Sequence, residues 1–108
     1  MIRHIVFFQF KPEVTGEERG LALAALRALP AKIPVIREFE VGEDVVRSPR
    51  SWDCALVSVF DDLDALNQYQ VNEDHVAAAR RLRELCGSVA SVDFTFQGSS
   101  QWPQESEK

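Results

Sequence analysis

The chain has 108 residues, 45% of them hydrophobic and 27% charged, and its formal net charge is −5. This length fits one domain, which buries roughly 65% of the surface that its unfolded chain exposes, so a core can form without disulfides or a structural metal. The acidic balance argues against nucleic acid and anionic membrane surfaces as partners. No run of about 18 apolar residues is present to span a membrane.

The two cysteines, Cys54 and Cys86, are too far apart in the sequence to have a metal-binding spacing such as C-x2-C. The N-terminus lacks a basic segment followed by a long apolar stretch and a small-residue cleavage site, so no signal peptide is expected. Both cysteines are therefore predicted to be reduced, buried thiols. These features favour a cytoplasmic protein.

The first predicted element is a strand over residues 2–10, IRHIVFFQF, which is rich in β-branched and aromatic residues. His4 shares one face with Val6 and Phe8, and the opposite face is also largely apolar. A strand that is apolar on both faces is usually covered on both faces.

A helix is predicted from Thr15 to Leu29, because Thr15 and Glu18 have the spacing of a capping box. Leu21 and Ala25 are predicted to belong to its apolar face, since they recur at helical spacing with Ala28 and Leu29. A second strand is predicted over residues 35–45.

The third predicted strand spans residues 52–60, and a short helix with an acidic first turn follows within 61–70. Asn72 is predicted to cap a longer helix over 73–86, which Gly87 ends. The last predicted strand spans residues 88–97. Residues 98–108 have the composition of a tail, which Trp102 could hold in place.

This order of elements, β-α-β-β-α-β, predicts an α+β fold of the ferredoxin-like kind, with a four-stranded antiparallel sheet and helices on one face. We assign residues 1–97 to this domain and 98–108 to a C-terminal tail. Because three strands also have apolar residues on the other face, we expect two copies to bury those faces in a homodimer. The alternative is a monomer with a partly exposed sheet.

His75 is predicted to lie in the middle of the apolar stripe of the last helix, near Ala79 and Leu82. Burial and the positive end of the helix dipole both disfavour the imidazolium, so a neutral imidazole is expected. Such a group can take a proton or bind a ligand hydroxyl. Tyr69, the only tyrosine, precedes it by six residues and offers a phenolic donor.

Both histidines have an alternative interpretation as satisfied core residues without a function. Sequence spacing does not establish that His4 and His75 come together. As a metal site the pair lacks the third protein ligand of the usual set, so no metal is predicted.

The segments RHIVFFQFKPEVTGEE, LPAKIPVIREFEVGEDV, DCALVSVFDDLDALNQYQVNEDHV and SVDFTF resemble the stress-responsive A/B barrel domain (Dabb) family over about residues 1–97. The resemblance implies a ferredoxin-like unit that dimerises through its sheets into an α+β barrel. One branch of this family consists of cofactor-free polyketide cyclases, in which two histidines and a tyrosine line a pocket between sheet and helices. By position these are His4, His75 and Tyr69, with one histidine as general base for an aldol closure and the tyrosine positioning substrate.

Two departures from the family pattern affect this expectation. Family members commonly have His-Pro-x-His-Val at the last helix, where this chain has Asn72, Glu73, Asp74, His75 and Val76, so acidic residues are expected at the pocket mouth. The cyclase branch also has a tyrosine in the first helix, at about the position of Leu26.

Two classes of function are therefore open. The first is a homodimeric binder of a small phenolic or polyketide-like molecule, which would act as a cofactor-free cyclase or, by fold analogy alone, as a cofactor-free monooxygenase or decarboxylase. The second is a non-catalytic, stress-associated structural or interaction protein with core histidines. In the first case the pocket is predicted to include His4, Tyr69, His75, Val6, Phe8, Trp52, Leu56 and Leu82.

Overall fold

A computed structural model describes residues 1–97 of the chain. These residues form four strands and three α-helices, with one turn of 3-10 helix at Leu29–Ala31. In chain order they are β1 (Ile2–Phe10), α1 (Gly16–Arg27), β2 (Glu38–Glu43), β3 (Cys54–Phe60), α2 (Leu63–Val71), α3 (Glu73–Leu85) and β4 (Cys86–Thr95).

The strands form one antiparallel sheet in the order β2-β3-β1-β4, so the first strand is central and the last is at an edge. The helices pack on one face of this sheet, as the ferredoxin-like prediction required. The predicted tail, including Trp102, lies outside the described residues. Within residues 1–97, no helix has both the length and the hydrophobicity needed to cross a bilayer.

Polar side chains fix where the helices begin. The Thr15 hydroxyl accepts a hydrogen bond from the Glu18 amide while the Glu18 carboxylate accepts one from the Thr15 amide, which confirms the predicted capping box. The Asn72 side-chain oxygen accepts from the Asp74 amide, so α3 begins where the sequence predicted. Asp62 caps α2 in the same way by accepting from Ala65.

The apolar face of α1 differs from the prediction. Leu23 and Leu26 are buried, whereas Leu21 is 63% exposed and Ala25 is also exposed. Alanines and leucines occupy several positions around this helix, so the periodicity alone did not identify the buried side. As a result, Leu26 rather than Leu21 faces the sheet.

The predicted role of Gly87 was wrong. Helix α3 passes directly into β4 at Cys86, whose backbone is already extended (φ −103°, ψ 141°), and Gly87 is a strand residue. Cys86 pairs with Phe10, and the Lys11 amide donates to the Leu85 carbonyl at 2.9 Å. Pairing with β1 thus begins immediately after the helix, so no left-handed glycine is needed to end it.

The strand faces follow the predicted alternation. Ile2, His4, Phe8 and Phe10 are buried on the helix-covered face of β1, while Phe7 on the other face is 38% exposed. The cross-strand register extends that open face over all four strands. Its exposed or half-buried apolar members are Ile5, Phe7, Ala55, Val57, Ala90, Val92 and Phe94. This broad apolar surface is the one that the sequence predicted a second copy would cover.

Candidate functional site

A cavity of about 180 Å³ lies between the sheet and the helices. The central strand β1 forms its floor, and α3 forms one wall. The edge strand β4 is poorly covered on this side, since Val89 is 46% exposed, so the cavity opens there. It is lined by His4, Val6, Phe8, Leu26, Leu56, Tyr69, Gln70, His75, Ala79, Leu82, Arg83, Val89 and Ser91.

The three residues predicted to be catalytic come together at one end of this cavity. The ring centroids of Tyr69 and His75 are 4.2 Å apart, and those of His4 and Tyr69 are 6.1 Å apart. Tyr69 thus lies between the two imidazoles. The convergence of His4 and His75, which their spacing in the sequence left open, is a feature of the fold.

Asp93 is a member of this cluster that the sequence analysis did not single out. It lies directly opposite His4 on β4, and its carboxylate accepts a hydrogen bond from Nδ1 of His4. This bond fixes the His4 ring and leaves Nε2 as its free nitrogen. A sequence signal existed, because aspartate is depleted in strands and Asp93 is the one acidic residue of the predicted last strand.

His75 is half-buried in the first turn of α3, with its Nδ1 3.2 Å from the backbone carbonyl oxygen of Gln70. A carbonyl oxygen can only accept, so this contact selects the tautomer with hydrogen on Nδ1. In the neutral ring, Nε2 then carries the lone pair. Burial lowers the pKa of His75 and outweighs the hydrogen bond to the Gln70 carbonyl, which raises it. The nearby side chains of His4 and Arg83 lower the pKa further. These effects are the physical basis for the neutral imidazole that the sequence predicted at His75.

Tyr69 is almost completely buried, with 1% of its surface exposed. Burial raises the pKa of its phenol, because the phenolate would lose its hydration. The side chain therefore stays protonated at neutral pH and can donate a hydrogen bond to a ligand oxygen in the cavity. Its ring also packs against Phe60, with centroids 4.9 Å apart, which holds it in place.

The rest of the cavity is largely apolar. Four of the five predicted pocket residues line it: Val6, Phe8, Leu56 and Leu82. Leu26 lines it as well, from the helix position at which the cyclase branch was expected to have a tyrosine. Glu73 and Asp74 were expected at the mouth, but they are exposed at the start of α3 and do not line the cavity.

Trp52 is the predicted pocket residue that the structure places elsewhere. Its ring packs against Phe7, with centroids 6.3 Å apart, and both line a separate hollow of about 540 Å³ on the open face of the sheet. The prediction extended the alternation of the third strand back to residue 52. The strand begins at Cys54, so the alternation does not apply to Trp52.

Neither cysteine lines this cavity. Both are buried free thiols, as predicted, and burial raises the pKa of Cys54 to about 11. They pair with opposite sides of β1, Cys54 with Phe8 and Cys86 with Phe10, so roughly 9 Å separates their strands, too far for a disulfide. Within residues 1–97, no group of three or more His, Cys, Asp or Glu side chains is arranged to hold a metal ion.

Solved structures of other proteins share the ferredoxin-like fold of this chain. A dimeric protein of unknown function from Bacteroides fragilis is 41% identical, with a TM-score of 0.75 over 88% of this chain and 95% of that one. The hydroxynitrile lyase of Passiflora edulis is 17% identical, with a TM-score of 0.81 over 94% of this chain and 96% of the lyase. At that identity, the likeness to the lyase concerns the fold alone.

Sequence comparisons identify the family. An uncharacterised protein of Streptomyces coelicolor is 36% identical in an alignment of 98 residues that covers 89% of this chain and the whole of that protein. The stress responsive A/B barrel domain matches residues 2–96, almost all of the part that the structure describes. The chain is therefore a member of the Dabb family, as its sequence motifs had suggested.

Proposed function

We propose that this protein is a homodimer that binds a small phenolic or polyketide-like molecule and acts on it as a cofactor-free cyclase, with His75 as general base. The observation that carries the proposal is the arrangement of His4, Tyr69 and His75 around one end of an apolar cavity. An apolar pocket with a few convergent polar groups is typical of small-molecule sites.

The size of the cavity limits the ligand. Its volume of about 180 Å³ is close to that of apolar cavities that hold one benzene ring, roughly 150 Å³. A single substituted aromatic ring, or the short polyketide chain from which such a ring forms, therefore fits. Val6, Phe8 and Leu82 would contact its carbon skeleton, and the polar cluster would contact its oxygens.

The proposed reaction begins with removal of a proton from carbon. Nε2 of neutral His75 takes the proton from a carbon next to a ketone, and the electron pair of the broken C–H bond forms an enolate. The Tyr69 hydroxyl donates to the enolate oxygen and stabilises its charge. The enolate carbon then attacks a second carbonyl of the same chain, and the resulting alkoxide takes a proton back from the His75 imidazolium.

His4 and Asp93 have a supporting role in this proposal. The Asp93 carboxylate accepts from Nδ1 of His4, so Nε2 is the nitrogen of His4 that is left for a ligand. In this orientation His4 can accept a hydrogen bond from a ligand hydroxyl. The hydrogen bond also compensates the burial of His4, which is 6% exposed.

The competing interpretation of the histidines as core residues requires that their own neighbours fill the space around them. The cavity instead reaches both rings and opens beside β4, which favours a ligand site. His75 is only half-buried, and its one hydrogen bond leaves a ring nitrogen for a ligand. Both observations support binding over a purely structural role.

A cavity-filling substitution tests the proposal. Ala79 lines the cavity, and Ala79→Phe is expected to fill it and abolish binding of 4-propylphenol, measured by isothermal titration calorimetry. Ala77 is exposed on the same helix, so Ala77→Phe is the matched control and should bind like the wild type. The melting temperature of each variant shows whether it is folded.

Two results would overturn the proposed binding site. One is wild-type protein that does not bind 4-propylphenol or related alkylphenols at millimolar concentration. The other is a folded Ala79→Phe variant that binds them as tightly as Ala77→Phe does.

A further inference from the structure

Arg83 is a cavity residue that the proposed cyclase mechanism does not use. It lies two turns beyond His75 on α3, and both line the cavity, with Ala79 between them. Eight residues of helix correspond to about 12 Å along the axis, and long helical side chains lean back toward the N-terminus. The guanidinium of Arg83 is therefore directed back along the mouth of the cavity.

The charge around this mouth is unbalanced. Arg83 is the only cavity-lining residue within 1–97 that carries a permanent charge. Three arginines of the described chain, Arg37, Arg47 and Arg81, have acidic partners, whereas none of the ion pairs within residues 1–97 involves Arg83. Glu73 and Asp74 lie outside the cavity lining, and the Asp93 carboxylate is bound to His4.

An arginine with this placement is suited to an acidic group. Its planar guanidinium offers five donors and binds carboxylates with two parallel hydrogen bonds. The cavity itself is apolar between its two ends, where Phe8 and Leu82 lie. A ligand that satisfies both ends has an oxygen-bearing ring near His75 and a carboxylate near Arg83, joined by a short apolar linker.

We propose that the ligands of this site are small carboxylic acids, whose carboxylate binds Arg83 at the cavity mouth while the phenolic or ketonic end lies against Tyr69 and His75. This inference rests on the proposed function, since it concerns the same cavity. Beyond the proposed function, it specifies that the ligand carries a negative charge, and the position of that charge determines which end of the ligand enters the cavity first. The neutral end goes in first and the acidic group stays in contact with water.

The test compares two probes of nearly the same size and shape, the anion 3-(4-hydroxyphenyl)propanoate and the neutral amide 3-(4-hydroxyphenyl)propanamide. We expect the wild type to bind the propanoate about fivefold more tightly, the size expected of one partly exposed charge-assisted contact. Arg83→Gln should bring the two affinities together by weakening the propanoate alone, and Arg83→Lys should retain part of the preference. Arg80→Gln removes the same charge from an exposed position outside the cavity and should keep the full preference.

The outcomes separate this inference from the proposed function. If 4-propylphenol binds but the propanoate has no advantage over the propanamide, or if Arg83→Gln keeps that advantage, the acidic ligand is excluded while the binding site stands. If Arg80→Gln loses the preference as fully as Arg83→Gln does, the effect is one of net charge and the inference is also wrong. If none of the three probes binds, the proposed function fails and this inference fails with it.

Discussion

Replacing His75 with Gln is expected to lower base-catalysed proton exchange about a hundredfold, the lower end of what a positioned general base contributes. The substrate for this measurement is 4-(4-hydroxyphenyl)butan-2-one, whose ketone has exchangeable α-protons. In D₂O, NMR follows the replacement of these protons by deuterium. Glutamine keeps a donor that can bind the Gln70 carbonyl, as Nδ1 of His75 does, but it has no basic nitrogen.

The controls separate loss of the base from loss of the site. Asp74→Asn removes a charge from the neighbouring exposed residue and should leave the exchange rate unchanged. His75→Gln should still bind 4-propylphenol within a few-fold of the wild type. Exchange that is as fast in His75→Gln as in the wild type would contradict the assignment of His75 as base.

The pH dependence of the exchange follows from the pKa of His75. Burial lowers this pKa below its usual 6.5, so the neutral base is the main form at pH 6.5 and persists below it. The rate should therefore keep more than half of its high-pH value at pH 6.5 and reach its midpoint only below that pH. An imidazole with an ordinary pKa would already have lost half of its basic form at pH 6.5.

Introducing a charge on the open face of the sheet is expected to convert the dimer to monomers. Val57 is half-buried on the central part of this face, beside Ile5 on β1 and Glu40 on β2. If two sheets pack face to face, Val57→Lys buries an ammonium twice in the symmetric dimer, and even beside Glu40 this group loses its hydration there. Each buried charge costs several kcal/mol, so the dissociation constant should rise by roughly a thousandfold or more.

Sedimentation velocity measures this change, because the wild type should sediment as a dimer and the Val57→Lys variant as a single 12.2 kDa chain. Val71 is 77% exposed on α2, on the other side of the molecule from the open face, so Val71→Lys should remain dimeric. A Val57→Lys variant that is folded and still dimeric would place the interface elsewhere. The dimeric Bacteroides fragilis protein, 41% identical, supports a dimer for this chain.

Local sequence rules predicted much of the fold because local interactions determine it. Thr15 and Asn72 cap their helices through hydrogen bonds to residues two or three positions away. The alternation of β1 is set by the strand itself, so His4 and Phe8 are on the covered face as predicted. Two strand ends were predicted wrongly, since Trp52 lies outside β3 and Gly87 lies inside β4. In both cases the end of the strand is decided by pairing with a segment that is distant in the sequence.

The site was predicted less completely than the fold. His4, Tyr69 and His75, which their apolar neighbours and the family motifs singled out, line one cavity, and their role there stays a prediction. Asp93 was missed because it is 89 residues from His4 in the sequence and meets it only through the register of β4 on β1. Arg83 had no predicted role in the site, and it lines the cavity because the edge of the sheet leaves that side of α3 uncovered.

The most direct test of the proposed site is an NMR titration of the two imidazoles with and without 4-propylphenol. We expect the His75 signals to report hydrogen on Nδ1, a pKa below 6.5, and a shift when the ligand is added. A His75 ring that titrates at or above 6.5 and does not respond to the ligand would contradict the proposal, and both histidines would then be structural residues.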